Sequence, residues 1–170
     1  MTFCCLGIDP GLGNLGYGYV IRQGGRIECG RYGCIRSPSD MEVCLRILFI
    51  YEKLEEIVAT NKPDAVSVER LFFGKNVTTA VNVFQVRGAV LLLAARLGIP
   101  VFEPKPSEVK IAVCGNGVAE KRQVQQMVGR VLDMAKTPRP DDAADALAIA
   151  VTGISMANYA NRIARGGFHC

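Results

Sequence analysis

Three apolar runs in this 170-residue chain end or begin in carboxylates, and that pattern constrains the fold more than any other feature. Asp9 closes the run from Phe3 to Ile8 and opens the turn Pro10-Gly11. Glu69 closes the run from Ala65 to Val68. Asp142 and Asp145 stand three residues apart at the start of a third apolar segment. A carboxylate at the end of a buried strand is costly unless positive charge meets it. Four that converge repel one another strongly without a cation. Hard divalent ions such as Mg²⁺ take oxygen ligands, and two held side by side suit phosphodiester hydrolysis. The pattern predicts a metal-dependent nuclease.

Periodicity supplies the elements around those runs. Phe3 to Asp9, Gly16 to Arg22 and Arg26 to Arg36 read as strands, the last two joined at Gln23-Gly24-Gly25. A helix follows from a cap at Asp40 to about Asn61, with Val43, Ile47, Ile50, Leu54 and Ile57 as its apolar stripe. Ala65 to Glu69 is a short central strand, parallel to the first. Asn76 to Leu97 is helical and stops at Gly98. Ile99 to Glu103 is a fifth strand. Helices follow over Ser107 to Cys114, Ala119 to Met134 and Asp141 to about Ile163, with Asp141 as the last one's cap. This order predicts an α/β protein, a five-stranded mixed sheet flanked by helices on both faces. The chain divides into one domain, residues 1–158, and a tail, residues 159–170, expected to be disordered.

Composition narrows the classes. Apolar residues make up 49% and charged ones 21%, as in a globular protein. No apolar stretch reaches the ~18 residues of a membrane span, and the N-terminus has no export signal; a cytoplasmic location is expected. The seven cysteines have no metal-binding spacing, which predicts reduced structural thiols. His169 is the single histidine and lies one residue from the end. Net charge is only +4, but no acid occurs between Arg70 and Phe102 or after Asp145. That asymmetry suits either a surface for a polyanion or solvated helix faces.

Each site residue also has an ordinary reading. Asp9 fits a tight turn, and Glu69 a solvated strand end. Asp142 and Asp145 share one helix face near an N-terminus, where the dipole favours anions. The small apolar residues around them, from Ala143 to Ala150, instead place both acids at the edge of a helix–sheet contact. Neither a GxxxxGK[ST] motif nor a GxGxxG opening a helix is present, so those nucleotide sites are not supported.

Taken together, the motifs resemble a known family. Gly7-Ile8-Asp9-Pro10-Gly11 with Gly16-Tyr17-Gly18, then Glu69-Arg70-Leu71-Phe72 with Lys75-Asn76, then Asp142-Ala143-Ala144-Asp145-Ala146-Leu147-Ala148-Ile149-Ala150, are similar to the RuvC family of bacterial Holliday-junction resolvases. Ala119 to Gln125 is similar as well, and the pieces keep their order along nearly the whole chain. The resemblance implies an RNase H-like fold. It implies that Asp9, Glu69, Asp142 and Asp145 are catalytic and bind two Mg²⁺ ions, with Mn²⁺ able to substitute. It further implies a homodimer acting on a four-way DNA junction in recombination and repair, paired symmetric nicks, 5′-phosphate and 3′-hydroxyl ends, and cooperation with RuvA and RuvB. The helix from Asn76 to Leu97 would make the dimer contact, or its apolar excess is buried within the monomer. Phe72 is placed to stack on a junction base or packs in the core. Lys110 and Lys121 match basic positions facing the DNA, with Lys75, Arg87, Lys105 and Arg122 as weaker candidates.

Three competing readings stand beside this one. Another RNase H-like nuclease, such as one cutting RNA–DNA hybrids, lacks the combination of paired Asp142 and Asp145 with Phe72. A non-catalytic junction binder has no need of four carboxylates. A sugar-kinase or actin-like ATPase needs two such domains, which 170 residues do not hold.

Overall fold

The computed structural model describes residues 2–71 and 77–165. Along the chain come β1 (Phe3–Asp9), β2 (Asn14–Gln23), β3 (Arg26–Arg36), α1 (Val43–Thr60), β4 (Ala65–Val68), α2 (Val77–Arg96), β5 (Val101–Phe102), α3 (Pro106–Cys114), α4 (Lys121–Val131) and α5 (Asp141–Arg165). The strands form one sheet in the order β3-β2-β1-β4-β5. β1 pairs antiparallel with β2, and β2 with β3, whereas β1–β4 and β4–β5 are parallel. This is the mixed five-stranded sheet expected from the sequence. The hairpin between β2 and β3 turns on Gly24 and Gly25, with φ of 57° and 89°. Two consecutive left-handed residues make the tight turn that matches strand twist, and glycine adopts them without strain.

Strand alternation sorts the core into two layers. On β1, Leu6 and Ile8 point to one face, where Ile50 and Leu54 of α1 and Val86 and Val90 of α2 cover them. Cys5 points to the other face, against α3, α4 and α5. Each fully buried Leu or Ile contributes about 1.5–3 kcal/mol over leaving it exposed. None of the six described cysteines is disulfide-linked. No helix among the described residues is long and apolar enough to cross a membrane.

Several local expectations change. Helix α1 begins at Val43 after an N-cap at Glu42, and Asp40 lies in the preceding turn. Its buried stripe is Ile50, Leu54 and Val58, while Val43 is exposed. The first turn lacks tertiary cover, so four-three spacing overcounts the buried face there. Asp141 is the first residue of α5, not its cap, and pairs with Arg139. The Pro140 carbonyl accepts the N–H groups of Ala143 and Ala144 instead. Strand β4 stops at Val68 and β5 spans only Val101 and Phe102; the carbonyls of Pro100 and Pro104 on either side still accept from Val66 and Arg70, but neither proline has an N–H to extend the ladder. Helix α4 is shorter than periodicity suggests, starting at Lys121 and ending at Val131.

Candidate active site

Strand parity aims two of the four carboxylates. Ile8 of β1 lies opposite Val68 of β4 in the parallel register, and both side chains are buried on the α1–α2 side. The next residues, Asp9 and Glu69, therefore emerge on the α5 side, at the carboxyl ends of adjacent strands. Adjacent strands lie about 4.8 Å apart. The turn after Asp9 is pinned from behind: Arg46 of α1 donates from Nε to Ser37 Oγ at 2.9 Å and from Nη2 to the Leu12 carbonyl at 3.3 Å.

Helix α5 brings the other two carboxylates, and glycines decide how close it comes. A Cβ on Gly16 would lie 2.0 Å from the Asp142 carbonyl oxygen, and one on Gly7 would lie 2.0 Å from that of Ala146. Only bare backbone lets the helix lie this close to the sheet. Ala143, Ala146 and Ala150 complete the contact from the helix side, each fully buried. Asp9 pairs with Gly16 across β1 and β2, so the start of α5 sits beside Asp9. The small residues noted in the sequence thus have partners on the sheet. Nothing local marks Gly7 and Gly16 as packing residues, although both lie in the glycine-bearing motifs.

The result is a cleft of about 230 Å³ lined by Asp9, Glu69 and Asp145 together with Lys110 and Lys121. Pro106, Val109 and Val124 form apolar wall. Asp9 is pushed up from 3.8 to about 7, first by burial, then by the charges of Asp145 and Glu69, with Lys121 opposing and Asp142 adding. Glu69 is also raised, by burial and then Asp145, against the opposing charges of Lys110 and Lys121. Lys121 is raised by its hydrogen bond to Asp145, with Nζ 2.7 Å from Oδ2. Burial and neighbouring negative charge therefore disfavour the ionised forms of Asp9 and Glu69. Asp142 does not line the cleft wall; its Oδ2 lies 4.0 Å from the Cys34 Sγ, and burial and that carboxylate raise the Cys34 thiol.

As placed, no group of three His, Cys, Asp or Glu side chains among the described residues forms a ready metal cage. Asp145 is instead drawn to Lys121 and to Gln125, whose Nε2 donates to Oδ1 at 3.2 Å. The donor chemistry nevertheless fits a hard divalent cation: the cleft's acidic groups are all carboxylates, and their crowding is what such an ion relieves.

Other sequence candidates are distributed unevenly. Arg122 and Lys105 are exposed outside the cleft lining. Arg87 is not in the lining either. Its guanidinium pairs with Glu103, and its Nε donates to the Glu69 carbonyl at 3.3 Å. Phe72 and Lys75 lie outside the described residues. Gln125 closes the family-like stretch Ala119 to Gln125, but the sequence gives it no role at the site, since a glutamine on a helix carries no specific signal until its neighbour is known.

Comparison with known proteins places this geometry. Residues 5–153 match the family described as "Crossover junction endodeoxyribonuclease RuvC". The crossover junction endodeoxyribonuclease RuvC of Heliobacterium modesticaldum is 52% identical over 146 residues, 86% of this chain and 90% of that protein. That of Desulfitobacterium hafniense is 46% identical over 158 residues, 93% and 96% of the two chains. The structure of T. thermophilus RuvC in complex with Holliday junction substrate superposes with a TM-score of 0.83 at 32% identity, covering 92% of this chain and 96% of that one. The RNase H-like fold and the nuclease reading both agree with these matches, and the chain belongs to the RuvC family of crossover junction endodeoxyribonucleases.

Proposed function

We propose that this chain resolves four-way DNA junctions by paired symmetric nicks, using Asp9, Glu69, Asp142 and Asp145 to hold two Mg²⁺ ions. The observation that carries the reading is the crowding of Asp9, Glu69 and Asp145 in one cleft that also holds two lysines. Nucleases of this family are metal-dependent. Bound among the carboxylates, the ions supply a nucleophilic water at neutral pH and charge stabilisation for the leaving 3′ oxygen. Mn²⁺ serves in place of Mg²⁺ at an all-oxygen site.

The chain's own groups then do the rest. Asp9, central on the sheet and flanked by the other acids, would hold the ions together with Glu69, Asp142 and Asp145. Lys110 and Lys121 face the backbone phosphates at the cut and offset the charge that develops there. Arg122, Lys75 and Arg87 are weaker phosphate partners, and Phe72 stacks on an unpaired junction base, worth about 1–3 kcal/mol. The apolar walls limit water near the cut bond. A homodimer presents two such sites to the two like strands of a twofold junction. RuvA and RuvB are the partners that the family implies, and a chromosomal substrate puts the enzyme in the cytoplasm. Residues 1–158 act as the nuclease domain; of the stretch expected to be a disordered tail, residues 159–165 instead continue helix α5.

The test is cleavage of a synthetic mobile four-way junction beside a matched linear duplex and an RNA–DNA hybrid, with and without Mg²⁺. Metal-dependent paired nicks in the junction alone, sealable by ligase, are expected. Asp9→Asn, Glu69→Gln, Asp142→Asn and Asp145→Asn should each abolish cleavage and leave junction binding intact. Cleavage of the hybrid in preference to the junction would replace the substrate, and a native rate in any one variant would remove that residue from the ligand set.

A further inference from the structure

Asp145 is held on both carboxylate oxygens from a single helix. Gln125 Nε2 donates to Oδ1 at 3.2 Å, and Lys121 Nζ lies 2.7 Å from Oδ2. The two donors are four residues apart on α4, hence on one face. In other respects they differ. The Lys121 side chain is 66% exposed and can leave Asp145 for water or phosphate. Gln125 is 8% exposed and sits between the buried Val124 and Val128. An alkyl side chain would fill that place without desolvating a polar group. The amide is there with its N–H on Asp145.

We propose that Gln125 is a positioning residue: its Nε2 fixes Oδ1 of Asp145, so that Oδ2 is the oxygen offered to a cation. This rests on the reading of Asp145 as a metal ligand. In the structure the cation at Oδ2 is the Lys121 ammonium. A divalent ion at Asp145 competes with that ammonium, whereas the neutral amide at Oδ1 has no charge to repel an ion and stays. A carboxylate oxygen can accept more than one bond, so Gln125 does not deny Asp145 to metal; it sets the rotamer. Partners of this kind typically change metal affinity or activity by about 10–100-fold when removed.

Gln125→Met keeps the length and removes the donor. The variant is expected to keep the parent's circular dichroism and its junction affinity in EDTA. Its Mn²⁺ affinity, read from the electron paramagnetic resonance of free ion, should fall roughly tenfold. Its kcat should fall while the KM for junction does not. In the Asp145→Asn background, Gln125→Met should have no further effect on Mn²⁺ affinity, since the oxygen it orients is no longer a ligand. Parent-level Mn²⁺ affinity in folded Gln125→Met overturns the proposal. Unchanged affinity in Asp145→Asn alone overturns the ligand reading on which it rests. A second measurement needs no altered residue at position 125: the side-chain amide resonances of Gln125 in ¹⁵N-labelled protein should shift with added Mg²⁺ in the parent and stay still in Asp145→Asn. Amide resonances that ignore Mg²⁺ in the parent also overturn the proposal, even if the methionine variant fails to fold.

Discussion

At Asp9, burial and neighbouring negative charge act in the same direction. Its folded value of about 7 lies above the ordinary 3.8, so folding favours the protonated form. The associated stability is fully present below the unfolded value and is lost as pH rises through about 7. The full shift corresponds to on the order of 4 kcal/mol in the absence of metal. Metal-free protein should therefore become less stable than its Asp9→Asn variant between pH 4 and 8, with the two similar at the acid end. Thermal midpoints in EDTA across that range check it, and parallel curves would mean that Asp9 is not crowded. Added Mg²⁺ should restore the parent at pH 8 and do less for Asp9→Asn, because a ligand that binds only the folded form stabilises it.

Among the elements, the α5 contact with the sheet matters most to the site. A methyl group on Gly16 meets the Asp142 carbonyl, which cannot yield without moving the first turn of α5. Gly16→Ala should cost about 1–3 kcal/mol of stability. It should also slow cleavage at temperatures where the variant is fully folded, since Asp142 and Asp145 ride on the displaced turn. Full activity in a folded Gly16→Ala protein would show that the site tolerates a shifted α5. Arg87 acts at the same scale. It ties α2 to the strand end carrying Glu69 and to Glu103. Arg87→Ala should lower stability by about 1.5–3 kcal/mol through loss of charged hydrogen bonds. As a proposed weaker phosphate partner, Arg87 should on removal also lower the salt dependence of junction binding; a parental slope would confine it to the structural role.

For the whole molecule, charge and exposed apolar surface make separate predictions. Lys110 and Lys121 stand in the cleft with the acids. Replacing both with Ala should reduce the slope of log affinity against log salt by about 1 for each phosphate that is no longer neutralised. An unchanged slope would return both lysines to ordinary surface charge. On α2, Val81 and Leu92 are 43% and 58% exposed and stand three helical turns apart on one face. Leu92→Glu should convert the proposed dimer to a monomer in sedimentation and uncouple the paired nicks. A variant that sediments as the parent does would move the interface elsewhere.

Much of this was legible in the chain because it is local. Apolar runs, the Gly24-Gly25 turn and the carboxylates closing Phe3–Ile8 and Ala65–Val68 specify strands, their order along the chain and a candidate site from neighbours in sequence. Strand parity alone directs Asp9 and Glu69 to a common face once β1 and β4 pair. Contacts across the chain were not legible. The start of α1 does not follow the residue best suited to cap it, since the helix opens at Val43 after Glu42 although Asp40 lies just upstream. The closeness of α5 depends on Gly7 and Gly16 meeting Ala146 and Asp142, more than a hundred residues away in sequence. Arg87 reads as a free basic residue until Glu103 folds against it, and Gln125 as an ordinary helix residue until Asp145 does. Hydrophobic pattern reports which face is buried; only packing reports which polar groups meet there, because hydrogen bonds and ion pairs depend on distances of a few ångströms that no periodicity encodes.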